Sequence, residues 1–126
     1  MEKTNFENLD IYKLSEKLAD QIWKVVVRWE VLAKDTLGKQ LVRAADSVGA
    51  NIAEGSGRGT EPELRRFLRI SRGSLYETKH WLRRAYSRKL LTEKQVQELL
   101  PMMKELGPKL NAYLRSIGTF ERKSLP

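Results

Sequence analysis

Arg65, Arg69, Arg72, Tyr76, Lys79 and Arg83 follow one another at steps of four, three, four, three and four residues. On an α-helix that spacing holds all six within an arc of roughly 80°. Arg66, His80 and Arg84 extend the same face, and none of its members is acidic. Fixed cations arrayed on one helix face suit a polyanion. Each cation set against a phosphate releases a condensed counterion, and a tyrosine among them can stack on a base or brace an arginine. The alternative is a solvated face kept soluble by charge, but such faces usually mix signs and gain i to i+4 support. Between Arg58 and Lys89 the chain carries ten Lys or Arg against only Glu61, Glu63 and Glu77, a local charge of +7 in a chain whose total is +8.

Other chemistry has little to draw on. His80 is the single histidine and lies on the basic face, and there is no cysteine. No spacing of His, Asp or Glu fits a metal site, and no nucleophile is paired with a base. The sequence predicts no enzyme activity, no cofactor and no metal. Gly55-Ser-Gly-Arg-Gly59 precedes a helix and looks like a phosphate cradle, but it lacks the Walker spacing and no strand leads into it. These glycines read instead as the stop of one helix and the turn into the next.

The elements that must carry the basic face are four helical patterns without any period-2 alternation. The first is expected over about 10–29, with Ile11, Leu14, Leu18, Ile22, Val25 and Trp29 as its core stripe. Tyr12, Ala19, Trp23 and Val27 form a second, weaker apolar row, which suggests an interface with another subunit. The second helix is expected over about 35–54, with Asp35 as N-cap, Leu37, Leu41, Ala44, Val48 and Ile52 facing the core, and Gly55 as its stop. The third, about 61–89, opens with Thr60-Glu-Pro-Glu63, a capping box with proline in the first turn. Leu64, Leu68, Ser71, Leu75, Thr78 and Leu82 face inward, widened by Phe67, Ile70, Ser74, Trp81 and Ala85.

The fourth, about 93–116, opens with the capping box Thr92-Glu-Lys-Gln95 and holds a heptad-like seam from Val96 to Ile117. Pro101 and Pro108 sit seven residues apart on the side remote from that seam, so one bent helix is expected, with a break at Gly107-Pro108 as the alternative. Small residues, Ser71, Gly73 and Ser74, are expected to face Ala44, Ala45, Ser47 and Asn51 across a close helix contact. Asn51 and Glu54 are positioned to tie down the hinge amides or its arginine. The predicted fold is all-α, an antiparallel up-down-up-down four-helix bundle in one domain, 1–117, followed by a flexible tail, 118–126. The absence of cysteine, of an apolar signal segment and of any membrane-length apolar run points to a soluble cytoplasmic protein without membrane association.

Three segments carry a resemblance. Gln40-Leu-Val-Arg-Ala-Ala-Asp-Ser47, Asn51-Ile-Ala-Glu-Gly55 with Arg58, and Phe67-Leu-Arg-Ile-Ser-Arg-Gly-Ser-Leu-Tyr-Glu77 resemble the four-helix-bundle family encoded in intervening sequences of bacterial large-subunit rRNA genes. Phe6-Glu-Asn-Leu-Asp-Ile-Tyr12 resembles its opening, and Gly49 stands where that pattern leads one to expect proline. The family also includes accessory variability determinants of diversity-generating retroelements. The resemblance implies a barrel-like homopentamer with a basic surface. For retroelement members it also implies binding to nucleic acid and to a reverse transcriptase.

Together these readings predict an oligomeric, non-enzymatic accessory protein that binds the backbone of RNA or an RNA–DNA hybrid with low sequence specificity. The expected contacts are Arg58, Arg65, Arg66, Arg69, Arg72, Tyr76, Lys79, Arg83 and Arg84, with Ser47, Asn51, Glu54, Gly55, Gly73 and Ser74 as structural or hinge positions. The alternative is a protein–protein scaffold whose basic face docks an acidic partner without touching nucleic acid.

Overall fold

The computed structural model describes residues 5–117, and the expected tail at 118–126 lies outside the described residues. A short 3₁₀ turn, Asn5–Asn8, leads into α1, Asp10–Val26. The stretch that follows opens as one α-turn at Val31–Ala33 and widens into a π-helical segment at Lys34–Gly38. It then continues as the α-helix α2, Lys39–Ser56. Then come α3, Glu61–Ser87, and α4, Glu93–Ser116. No strand occurs among the described residues. Each helix packs on its neighbours in sequence and α4 closes back on α1, giving a four-helix bundle.

The core follows the predicted stripes. Leu18 and Ile22 of α1, Leu41, Val48 and Ile52 of α2, Leu68 of α3, and Leu106 and Leu110 of α4 are fully buried at its centre. Each stripe recurs at three- and four-residue steps, so burying one side of every helix removes the apolar surface from water at once. Pro101 and Pro108 lie exposed on the outer side of α4, which runs unbroken through both. Rings that point to water cost the helix hydrogen bonds without costing it core contacts.

Both ends of the second helix differ from the sequence reading. Asp35 is not an N-cap: the helical stretch starts four residues earlier, at Val31, and Asp35 falls within the π-helical segment. Gly55 is not the stop of α2 either. It is buried inside the helix, and a Cβ placed there would meet the Phe67 Cβ at 2.8 Å. The helix ends one residue later, at Ser56. The turn that follows uses Gly59, whose φ of 85° is the left-handed geometry that glycine tolerates.

Trp29, expected within the first helix, lies beyond the end of α1 but still plugs the core, and its indole N–H donates to the Leu90 carbonyl at 3.0 Å. That carbonyl follows a Schellman motif, in which Leu90 N–H bonds the Ala85 carbonyl and Lys89 N–H bonds the Tyr86 carbonyl. The motif needs a left-handed residue at position 89, and here it is a lysine with φ 61°. Replacing it with glycine, Lys89→Gly, removes the Cβ penalty and is expected to stabilise the fold by up to about 1 kcal/mol in urea unfolding. A destabilised variant would show that the Lys89 side chain contributes more than its backbone strain costs.

Candidate nucleic-acid interface

The position of α3 is set by its contact with α2. Ser71 Oγ donates to the Val48 carbonyl at 2.7 Å, and the Ser47 and Ser74 hydroxyls share a hydrogen bond at 2.8 Å. The Asn51 amide donates to the Ser47 carbonyl at 2.8 Å and to its hydroxyl at 2.9 Å. Thr78 Oγ1 donates to the Ser74 carbonyl within α3. These small polar side chains let two backbones come close while each of these hydroxyls keeps a partner. Because Ser71, Ser74, Leu75 and Thr78 must face inward, the opposite side of α3 must face water.

Gly73 does not share in this contact. It is exposed, and a Cβ there would meet nothing within 4 Å. Two residues from Ser71 is about 200° around the helix, so Gly73 cannot join the inward row. Ile70 likewise does not widen the inward face and is 41% exposed.

The outward side carries the predicted cations, but the structure divides them. Arg58 pairs with Glu54 at 2.8 Å and Arg66 with Glu63 at 3.6 Å. Both guanidinium groups also lie over the Phe67 ring, 4.9 Å and 4.8 Å from its centroid. Glu54 therefore does hold the hinge arginine, whereas Asn51 turns back to Ser47. Arg72, half-buried, donates to the Asn111 side chain of α4 at 3.2 Å. Three of the nine predicted contacts are thus engaged in holding the hinge, α3 and α4 together.

The other predicted cations are Arg65, Arg69, Lys79, Arg83 and Arg84, which form no ion pair within 4.0 Å among the described residues. Arg65 is half-buried and the other four are exposed, with Tyr76 63% exposed among them. Glu77, the acid nearest the middle of this helix, accepts a hydrogen bond from the Trp81 indole at 3.3 Å, and the Trp81 ring meets the His80 ring edge-on at 4.7 Å. The carboxylate is held toward Trp81, and among the described residues no acid pairs with the exposed arginines and lysine. Such a face attracts a polyanion and gains counterion release when it binds one.

The proposed interface row of α1 spans two environments. Tyr12 and Ala19 are half-buried and line a cleft of about 370 Å³ between α1 and α2, together with Phe6, Asp20, Asp46 and Gly49. Trp23 and Val27 are exposed at 57% and 43%, toward the end of α1, and Val31 and Leu32 just beyond are more exposed still. Sequence periodicity missed Val31 and Leu32 because they belong to a turn of helix that the expected boundary at Asp35 left outside. Among the described residues no three His, Asp or Glu side chains come together as metal ligands, and no helix is long and apolar enough to cross a membrane.

At the cleft, partial burial first and the Asp20 carboxylate second push the Asp46 carboxyl above its usual range. A carboxyl whose pKa is raised by folding holds its proton more tightly in the native state. Its effect on stability is therefore most favourable below the unfolded pKa and is lost as pH rises through the folded one. Asp46→Asn is expected to raise the melting temperature at pH 7 while leaving it nearly unchanged at pH 3, where the parent carboxyl is already protonated. Equal shifts at both pH values would remove the electrostatic cause.

The model of the 23S rRNA-intervening sequence protein family matches residues 7–112. Among solved structures, a protein of unknown function from the S23 ribosomal protein family of Bacteroides thetaiotaomicron superposes with a TM-score of 0.74 at 21% identity, covering 84% of this chain and 96% of that one. At that identity the likeness is one of fold. No curated protein sequence matches the chain.

Proposed function

We propose that this chain, which belongs to the 23S rRNA-intervening sequence protein family, is a non-enzymatic accessory protein that binds RNA, or an RNA–DNA hybrid, through the outward face of α3. The observation that carries the reading is the set Arg65, Arg69, Lys79, Arg83 and Arg84, five cations on one helix without an acidic partner among the described residues. Cations that pair with no described carboxylate repel one another, and an anionic partner would relieve that repulsion. Contacts of this kind go to phosphates and carry little base information, so low sequence specificity follows. The proposed setting is the cytoplasm, away from membranes, with a role beside an RNA-using enzyme such as a reverse transcriptase.

Arg69, Lys79 and Arg83 changed together to Gln should reduce the magnitude of the slope of log affinity against log salt for single-stranded RNA by about 2, at roughly 0.7 for each phosphate no longer neutralised. Fluorescence anisotropy across a salt series measures that slope. A triple variant that binds with the parent's affinity and slope would sink the assignment of the face.

We also propose that the chain works as a homo-oligomer, a pentamer being the form its resemblance offers, with Trp23 and Val27 at a subunit contact. Trp23, Val27, Val31 and Leu32 are all exposed at and just beyond the end of α1, and apolar residues gathered in one place mark an interaction surface. Trp23→Glu should give a species of lower mass by light scattering at unchanged helicity. An unaltered mass would remove this face from the interface.

A further inference from the structure

The one bare position on the outward face of α3 is Gly73. Arg69 lies four residues before it and Tyr76 three after, with Arg66 and His80 a further turn away on either side, so it sits near the centre of that face. Glycine inside a helix is less stable than alanine because it loses more backbone freedom on folding. At Gly38, Gly49 and Gly55 the chain itself explains the choice, since a Cβ would come within 2.8 Å of a neighbouring atom. At Gly73 no described residue does: its φ is not positive, and beyond its own turn of helix no described atom lies within 4 Å of an added Cβ. The close approach that a missing side chain permits is therefore open there to a partner from outside the described fold.

The surroundings select the visitor. Tyr76 and Ile70 stand on either side of the bare backbone, 63% and 41% exposed, while Arg69 and Arg83, which form no ion pair among the described residues, lie along the same face. A duplex met through its phosphates would satisfy the cations and leave the tyrosine ring and the isoleucine in water. An unpaired strand offers both a charged backbone and flat base faces. A second copy meeting this face with its own would set like charges together.

We propose that Gly73 is the point where an unpaired RNA strand lies against α3, one base stacked on Tyr76 over the bare backbone and flanking phosphates on Arg69 and Arg83. The proposal rests on the RNA-binding reading of this face and adds to it the strand type and the contact point. It makes Gly73 a positioning residue, acting by absence of a side chain, and Tyr76 the residue that touches a base.

The decisive variant is Gly73→Ala, because its effects on folding and binding have opposite signs. It should raise the melting temperature by roughly 2–5 °C. It should also weaken binding of a labelled oligoadenylate of about twenty nucleotides by about fivefold or more, while an RNA duplex of equal length changes by less than about twofold. The salt slope should stay at the parent's value, since no cation is removed. Tyr76→Leu should weaken oligoadenylate binding in the same range and affect oligouridylate less, because uracil stacks less strongly.

If the parent binds oligoadenylate and Gly73→Ala binds it equally well, the Gly73 contact is wrong while the basic-face reading stands. If the parent binds no RNA, both fall. A lower melting temperature for Gly73→Ala would mean that the chain itself needs the glycine and would overturn the premise. A lower mass by light scattering would give the position to a second copy instead.

Discussion

The close contact of α2 with α3 is the constraint from which the rest of the molecule follows. Two helices can approach this closely only where side chains are small, and Ser47, Gly55, Ser71 and Ser74 supply that condition. Hydroxyls in such a contact must find partners, since a buried polar group left unsatisfied costs about 1–3 kcal/mol. The bonds from Ser71 to Val48, from Ser47 to Ser74 and from Asn51 to Ser47 meet that demand and also lock the register of the pair. A helix so pinned cannot rotate about its axis to hide its charges.

That pinning explains the electrostatic character of α3. With Ser71, Leu75 and Thr78 inward, Arg69, Tyr76 and Arg83 have no choice but water. The nearby carboxylates are taken up elsewhere: Glu54 holds Arg58, Glu63 holds Arg66, and Glu77 accepts from Trp81. Each of these local bonds has its own structural reason in the hinge or along α3. Their joint effect is a face whose cations pair with no carboxylate among the described residues, created as much by the occupation of the acids as by the abundance of arginine.

The opposite side of α2 has a different character. Between α1 and α2 lies a narrow cleft with Asp20 and Asp46 on it, where partial burial and mutual repulsion disfavour ionisation of Asp46. Gly49 brings α2 against Ser15, and a Cβ there would meet the Ser15 hydroxyl at 2.8 Å. Glycine at the position where the family pattern leads one to expect proline thus has a steric role in this chain. Carboxylates of Glu16, Asp20 and Asp46 thus gather at this cleft while the cations gather on α3, although the net charge alone describes only an excess of cations.

Read along the chain alone, the residues establish the helix count, the core stripes and the two threonine caps, because these depend on short-range periodicity and local backbone chemistry. Thr60 and Thr92 cap α3 and α4 where their sequences require it, and Pro101 and Pro108 fall on the outer side as their seven-residue spacing implies. The outward arc of basic residues was legible for the same reason. Other features were decided when helices met. Gly55 proved to be a contact with Phe67 rather than a stop, because its role depends on a residue twelve positions away. Arg72 left the unengaged set because Asn111 of α4 stood within reach, whereas the pairs of Arg58 with Glu54 and of Arg66 with Glu63 follow from i,i+4 and i,i+3 spacing along the chain. Gly73, grouped by type with its small neighbours, was separated from them by rotation about the helix axis. Periodicity states which side of a helix a residue occupies; what stands opposite that side is a property of packing, and packing sets which charges remain free.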